Sequence, residues 1–254
     1  MRYHHIMSIL YSNSQIRELE ALTIADQIFT EEQMMENAGL AAFQTLQLHW
    51  PGVKCIAVCI GKGNNGGDGS VVARLAHQAG LVVTVYTIGD ISALKGAAKT
   101  AAAKALKAGV TYIEYQQDIC FDADLIVDGL LGSGLTGDVA FPFDQCIAAI
   151  NAAELPVLAL DVPSGINVDT GWMLGVAVKA DVTITFIGLK QGLFTNKAAA
   201  YCGEVVCNDL SIPAETFTKV EYAAELLDWD TIKPLLPRRP KDTFKGDYGH
   251  VLVI

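Results

Sequence analysis

The chain has 254 residues, of which 51% are hydrophobic and 18% charged, which is enough apolar material for a sizeable core and too little polarity for a disordered chain. Its formal net charge of -10 argues against nucleic acid or an anionic membrane as a main partner, so an anionic ligand needs a locally positive site. No apolar run approaches the ~20 residues of a membrane span, no signal-peptide pattern follows Arg2, His4 and His5, and the six cysteines have no metal-ligand spacing; a cytoplasmic protein with buried, reduced thiols is expected.

In chain order, Ser12 with Gln15 and Thr30 with Gln33 read as capping boxes that open two helices. The first helix carries Ile16, Leu19 and Thr23 on one side, and the second Met34, Ala38, Ala41 and Thr45. Gly39 interrupts the second helix at a cost of ~1 kcal/mol relative to Ala. Either another helix packs closely there, or Asn37 and Gly39 face a ligand.

From residue 54 onward, strands and helices alternate. Strands are predicted at 54–60, 81–88, 110–115, 124–131, 156–162, 182–187 and 204–207, and helices at 69–79, 96–108 and 143–153. Several strands are apolar without alternation, as strands buried on both faces are. The order implies a three-layer αβα sandwich, Rossmann-like, on a mostly parallel sheet. Beyond Leu236, Pro237-Arg238-Arg239-Pro240-Lys241 has linker composition, and His250-Val251-Leu252-Val253-Ile254 reads as an opening strand.

Three polar loops follow strands, and by the strand-end rule they converge on one crevice. The first is Gly61-Lys62-Gly63-Asn64-Asn65-Gly66-Gly67-Asp68-Gly69. Free N–H groups at a helix start attract anions, and glycines that can take φ > 0 bring the backbone close to a phosphate, so this stretch reads as a nucleotide phosphate loop. Gly61-x-Gly63-x-x-Gly66 also satisfies the dinucleotide fingerprint, with Asp90 where a ribose-binding acid sits. That keeps an NAD(P)-dependent oxidoreductase open, although the fingerprint has no role for Asn64, Asn65 and Asp68. No Gly-Lys-Ser/Thr follows, which excludes a P-loop kinase.

The second loop runs from Asp128 to Asp138 and the third from Asp161 to Asn167. Asn65, Asp128 and Ser164 offer oxygen alone, with a single carboxylate, which suits a monovalent cation; the plainer reading is turn residues bonding locally. Asp161 ends an apolar strand, as a turn cap or as a carboxyl tuned for proton transfer. Lys190 follows another strand and brings positive charge to the same crevice.

Together these loops resemble the YjeF N-terminal family, the NAD(P)H-hydrate epimerases, over roughly residues 12–230. The resemblance is carried by Met35-Glu36-Asn37-Ala38-Gly39, by the Asn-Asn-Gly-Gly-Asp-Gly run, by Asp128 to Thr136, by Asp161-Val162-Pro163-Ser164-Gly165-Ile166-Asn167-Val168-Asp169-Thr170-Gly171, and by Lys190-Gln191-Gly192. It implies a substrate site of Asn64, Asn65, Gly66, Gly67, Asp68, Gly132, Ser133, Gly134, Leu135, Thr136, Gly137, Asp138 and Asp161, and a potassium ion (K+) on Asn65, Asp128 and Ser164. Asp161 would exchange protons, and Lys190 would either tune it or bind a phosphate. The substrate would be hydrated NADH or NADPH with no redox cofactor, and the protein a homodimer without nucleic-acid or membrane partners. Asn37 stands where the family often has Arg, and Gly129 where it often has Ala.

Lys245-Gly246-x-x-Gly249-His250-Val251-Leu252-Val253 resembles the entry to a ribokinase-like NAD(P)H-hydrate dehydratase domain. Residues 1–230 would then be an epimerase domain, and 231–254 a linker and the truncated start of a fused dehydratase half. An oxidoreductase and a non-catalytic nucleotide-binding module are the competing classes.

Overall fold

In a computed structural model the chain is described at residues 9–117, 119–236 and 242. It begins with β1 (Ile9–Tyr11), α1 (Asn13–Ala25) and α2 (Glu31–His49). Both capping boxes form: Ser12 N–H donates to Gln15 Oε1 at 2.8 Å and Gln15 N–H to Ser12 Oγ at 3.3 Å, with the same exchange between Thr30 and Gln33. The buried side chains of α1 are Ile16, Leu19 and Thr23, and those of α2 include Met34, Ala38, Ala41 and Thr45, as their spacing predicts.

The alternating region follows as β2 (Cys55–Ile60), α3 (Asn64–Gln78), β3 (Val82–Thr87), α4 (Gly96–Lys107), β4 (Thr111–Glu114), β5 (Leu125–Gly129), α5 (Phe143–Ala152), β6 (Val157–Leu160), β7 (Val182–Phe186), β8 (Leu189–Lys190) and β9 (Glu204–Asn208). Seven of these strands form one sheet in the order β4-β3-β2-β5-β6-β7-β9, every neighbouring pair parallel. Ile56, Val58 and Ile60 point to the layer holding Leu19, Leu46 and Val72, whereas Ala57 and Cys59 point to Cys146, Ile147 and Ile150 of α5. Burial on both faces is why the strands carry no polar alternation. The predicted three-layer sandwich is the observed one.

The strand order reverses between β2 and β5. After β2 the chain builds outward through β3 and β4, returns to the other side of β2, and continues through β5, β6, β7 and β9. Ligands in open parallel sheets lie at such a reversal, outside the carboxyl ends of the strands. Pairing of Cys59 with Asp128 and of Ile60 with Gly129 sets those two strand ends side by side.

The glycine stretch differs from its sequence reading. Helix α3 starts at Asn64 rather than at residue 69, so Asn64 to Gly69 form its first turns, and none of the glycines from 61 to 69 takes a positive φ. Close packing accounts for all of them but Gly63, around which a Cβ would meet open space. A Cβ on Gly66 would lie 2.3 Å from the Gly61 carbonyl oxygen, on Gly67 2.5 Å from Met35 Sδ, and on Gly69 2.8 Å from Ile60 Cγ2. Gly39 packs the same way: its Cβ would fall 2.3 Å from Val71 Cβ, so α2 and α3 cross closely there. Asn37 donates from Nδ2 to the Leu210 carbonyl at 3.2 Å.

A second, small sheet was not expected from the sequence. In it, β1 lies between β8, parallel, and β10 (Ala224–Glu225), antiparallel, with Tyr11 opposite Lys190. All six cysteines are free, but only Cys59, Cys146 and Cys202 are buried; Cys55 and Cys207 are half-buried, and Cys120, in the loop before β5, is exposed. Among the described residues no helix is long and apolar enough to cross a membrane. The strand predicted at 250–254, and with it the second-domain reading, lies outside the described residues.

Candidate active site

A cavity of about 1010 Å³ opens at the carboxyl ends of β2, β5 and β6. Asn64, Asn65 and Asp68 of α3 line it, as do Gly132, Ser133, Gly134, Leu135 and Thr136 after β5, Asp161 after β6, and Lys190 in β8. Gly66, Gly67, Gly137 and Asp138 are not part of its lining, nor are Asn37 and Gly39. Gly66 and Gly67 instead allow the first turns of α3 to sit against Gly61 and Met35. Helix α3 has no side-chain cap; Gly66 and Gly67 N–H donate to the Gly63 carbonyl at 3.1 and 3.3 Å, and Asn64 and Asn65 at its start line the cavity.

Lys190 is a fully buried lysine whose ammonium has a specific partner for each proton. Nζ lies 2.6 Å from Asp161 Oδ1, donates to Thr185 Oγ1 at 2.8 Å, and donates to the Phe186 carbonyl at 3.0 Å. With its donors so used, Lys190 is paired with Asp161. Asp161 itself sits at φ 66°, a left-handed conformation rare for a non-glycine residue, and its N–H donates to the Ile184 carbonyl at 2.7 Å. Strain of this kind costs about 1–3 kcal/mol and clusters at functional sites. Here it turns the carboxylate out of β6 into the cavity and against the lysine.

Two further carboxyls stand near this pair. Asp68 is 9% exposed and lines the cavity. Desolvation, then the charges of Asp161 and Glu20, push Asp68 well above its ordinary value, against the pull of Lys190. Glu20 of α1, exposed by area but facing the cavity, is raised as well, by desolvation first and then by Asp161. Three carboxyl groups thus share one ammonium, an arrangement that favours a proton on at least one of them.

Asn65, Asp128 and Ser164 meet beneath the loop after β5. Ser164 Oγ donates to Asp128 Oδ1 at 2.6 Å and Ser164 N–H to Asp128 Oδ2 at 2.8 Å, while Leu131 N–H donates to Ser164 Oγ at 2.9 Å. Asn65 Nδ2 donates to the Leu131 carbonyl at 3.1 Å. Burial pushes the Asp128 carboxyl up to about 6, although bonds from Ser164 and Leu130 pull it down. Asn65 Oδ1 is buried and has no hydrogen-bond partner, a lone acceptor of the kind that calls for an explanation. An all-oxygen donor set with one carboxylate and one vacant acceptor fits a monovalent cation. No group of three or more His, Cys, Asp or Glu able to hold a metal occurs among the described residues.

The sequence reading missed the wall supplied by α1. Ile16, Arg17, Glu20 and Ile24 line the cavity, and the 16/20/24 spacing marks one helical stripe on which Glu20 interrupts apolar residues. That polar interruption was the available signal. Arg17 and Lys62 also line the cavity, so positive charge reaches it besides the committed Lys190.

The family described as YjeF-related protein N-terminus matches residues 31–192. A bifunctional NAD(P)H-hydrate repair enzyme of Coxiella burnetii is 52% identical over 248 residues, covering 98% of this chain and 51% of that enzyme. An NAD(P)H-hydrate epimerase of Limosilactobacillus fermentum is 40% identical over 198 residues, covering 77% of this chain and 94% of the relative. The chain therefore spans about half the length of the bifunctional relative and nearly all of the epimerase. The crystal structure of yeast ynu0 superposes with a TM-score of 0.68 at 21% identity, covering 87% of this chain and 96% of that one, a likeness of fold.

Proposed function

The chain belongs to the YjeF-related N-terminal family, and on that basis we propose that it is an isomerase interconverting the R and S forms of hydrated NADH and NADPH. The observation that carries the reading is the Asp161–Lys190 ion pair at 2.6 Å, in the same cavity as Asn64, Asn65, Asp68 and the Gly132 to Thr136 loop. Hydration places a hydroxyl on a ring carbon next to the ring nitrogen. The nitrogen lone pair expels that hydroxyl as water once it is protonated, leaving an iminium-like cation, and water returns on the opposite face. No electrons are transferred and no ATP is consumed. What the protein supplies is a proton carrier, Asp161, held in place by Lys190, and a cavity that positions the ring.

In this reading the substrate phosphates lie against the start of α3 and the loop after β5, with Arg17 and Lys62 as the further cations of the lining. Asn65, Asp128 and Ser164 would hold a potassium ion, which supplies fixed positive charge beside that loop. The vacant Asn65 Oδ1 supports this assignment. A homodimer in the cytoplasm and a dehydratase half following residue 230 complete the proposal, the last supported by the names of the bifunctional relatives.

The test is to incubate the protein with each purified hydrate and follow the R to S ratio by chromatography. An epimerase drives both toward one ratio. An oxidoreductase changes nicotinamide absorbance with a second substrate instead, and a binding module does neither. For the ion, potassium chloride should raise the melting temperature more than tetramethylammonium chloride at equal ionic strength, and Asn65→Ala or Ser164→Ala should remove the difference. Equal melting curves in the two salts overturn the potassium assignment.

A further inference from the structure

Epimerisation through an iminium-like cation has two proton transfers, one to the departing hydroxyl and one from the returning water, and these occur on opposite faces of the ring. Asp161 serves one face. The cavity wall offers a second group of the right kind. Asp68 projects from the first turns of α3, which follows β2, and Asp161 follows β6; β5 lies between those two strands. The helix that follows β2 brings Asp68 to the cavity into which Asp161 also faces, close enough for the two carboxyls to interact. Asp68 is about nine-tenths buried and lines the cavity, and the charged groups that act on it are Asp161, Glu20 and Lys190. It is a buried carboxyl placed in the cavity wall beside the Asp161–Lys190 pair.

We propose that Asp68 is the second catalytic carboxyl, which donates the proton to the leaving hydroxyl while Asp161 takes the proton from the returning water. The proposal rests on the epimerase reading above. In one direction the C–O bond breaks, the ring nitrogen lone pair forms the C=N bond, and the Asp68 proton leaves with the departing water. Water then forms the new C–O bond and gives its proton to the Asp161 carboxylate. One proton has moved from Asp68 to Asp161. In the reverse reaction the roles exchange; otherwise the proton returns through cavity water or Glu20. The charged groups acting on Asp68 are Asp161, Glu20 of α1 and Lys190, and Arg17, Glu31 and Lys62 also line the cavity. The negative members of this set and burial favour a protonated Asp68, the state a donor needs.

Initial rates from pure R and pure S hydrate, measured as a function of pH together with hydrate affinity by equilibrium dialysis, test this. Asp68→Asn should lower kcat by about 10²-fold or more while leaving affinity in place. Glu20→Gln removes a nearby negative charge, so in the direction in which Asp68 is the donor the alkaline limb of kcat, where Asp68 loses its proton, should move to lower pH. The second variant provides the reading if Asp68→Asn does not fold. Wild-type kcat in Asp68→Asn, or an alkaline limb unmoved in Glu20→Gln, overturns the proposal. A wild-type protein that leaves both hydrates unchanged overturns the epimerase reading, and this proposal with it.

Discussion

Replacing Lys190 with Met tests how the cavity is held together. The side chain is 1% exposed, and Met keeps much of its length and apolar stem while deleting the ammonium. Three contacts go: Asp161 Oδ1 at 2.6 Å, Thr185 Oγ1 at 2.8 Å and the Phe186 carbonyl at 3.0 Å. Hydrogen bonds from a charged donor net about 1.5–3 kcal/mol each, but desolvating a buried ammonium offsets much of their sum. Breaking a buried pair by removing one partner typically costs about 3–5 kcal/mol. Asp161 retains 15% side-chain exposure to the cavity, so water relieves part of that cost, and about 2–3 kcal/mol is expected. For a chain of this size that lowers the melting temperature by about 4–12 °C. Thermal unfolding followed by circular dichroism measures it. Adding Asp161→Asn removes the stranded carboxylate, so the double variant should be more stable than Lys190→Met alone. An unchanged melting temperature in Lys190→Met, or fully additive losses in the double variant, would refute the account of Lys190 as the holder of Asp161.

Two other outcomes follow from packing and titration. Gly39→Ala gains about 1 kcal/mol of helix propensity but places a Cβ 2.3 Å from Val71 Cβ, a backbone-fixed neighbour. With overpacking at about 1–3 kcal/mol, urea denaturation should show a net loss, and a stabilised variant would contradict the close crossing of α2 and α3. Asp68 has a folded-state value raised above its ordinary one of 3.8, so its contribution to stability is fully present below that value and is lost as pH rises through the raised one. Asp68→Asn cannot ionise; its melting temperature should exceed that of the wild type on the alkaline side, with the gap closing toward acid pH. A gap that widens toward acid pH would show the wrong sign.

The sheet was readable because its strands are buried on both faces, which leaves runs such as Val157-Leu158-Ala159-Leu160 with no other explanation. The two capping boxes fixed the starts of α1 and α2. The start of α3 escaped because glycine is a poor helix former, and its presence at 66, 67 and 69 suggests a turn. What outweighs propensity is the space left by Gly61, Met35 and Ile60, visible only once the elements are packed. The three loops were legible as one crevice because each follows a strand. The α1 wall was not, since Arg17 and Glu20 lie far from those loops in sequence. The left-handed φ of Asp161, and the pairing that buries Lys190, also arise from tertiary contacts. Short strands such as β8 and β10, two residues each, leave no periodic pattern to read.

The small sheet has a practical consequence for anyone cutting this chain. Lys190 lies in β8, opposite Tyr11 of β1, and β1 is strapped on its other side by β10 at Ala224–Glu225. Material from near both margins of the described chain is thus clasped together beside the Asp161–Lys190 pair. A trimmed version holding only the glycine stretch and the loops after β5 and β6 would retain the recognisable signature but lose the clasp. A protease nick or fusion junction at either clasping strand, more than 150 residues from Lys190 in sequence for β1, should register as a fault at that buried lysine.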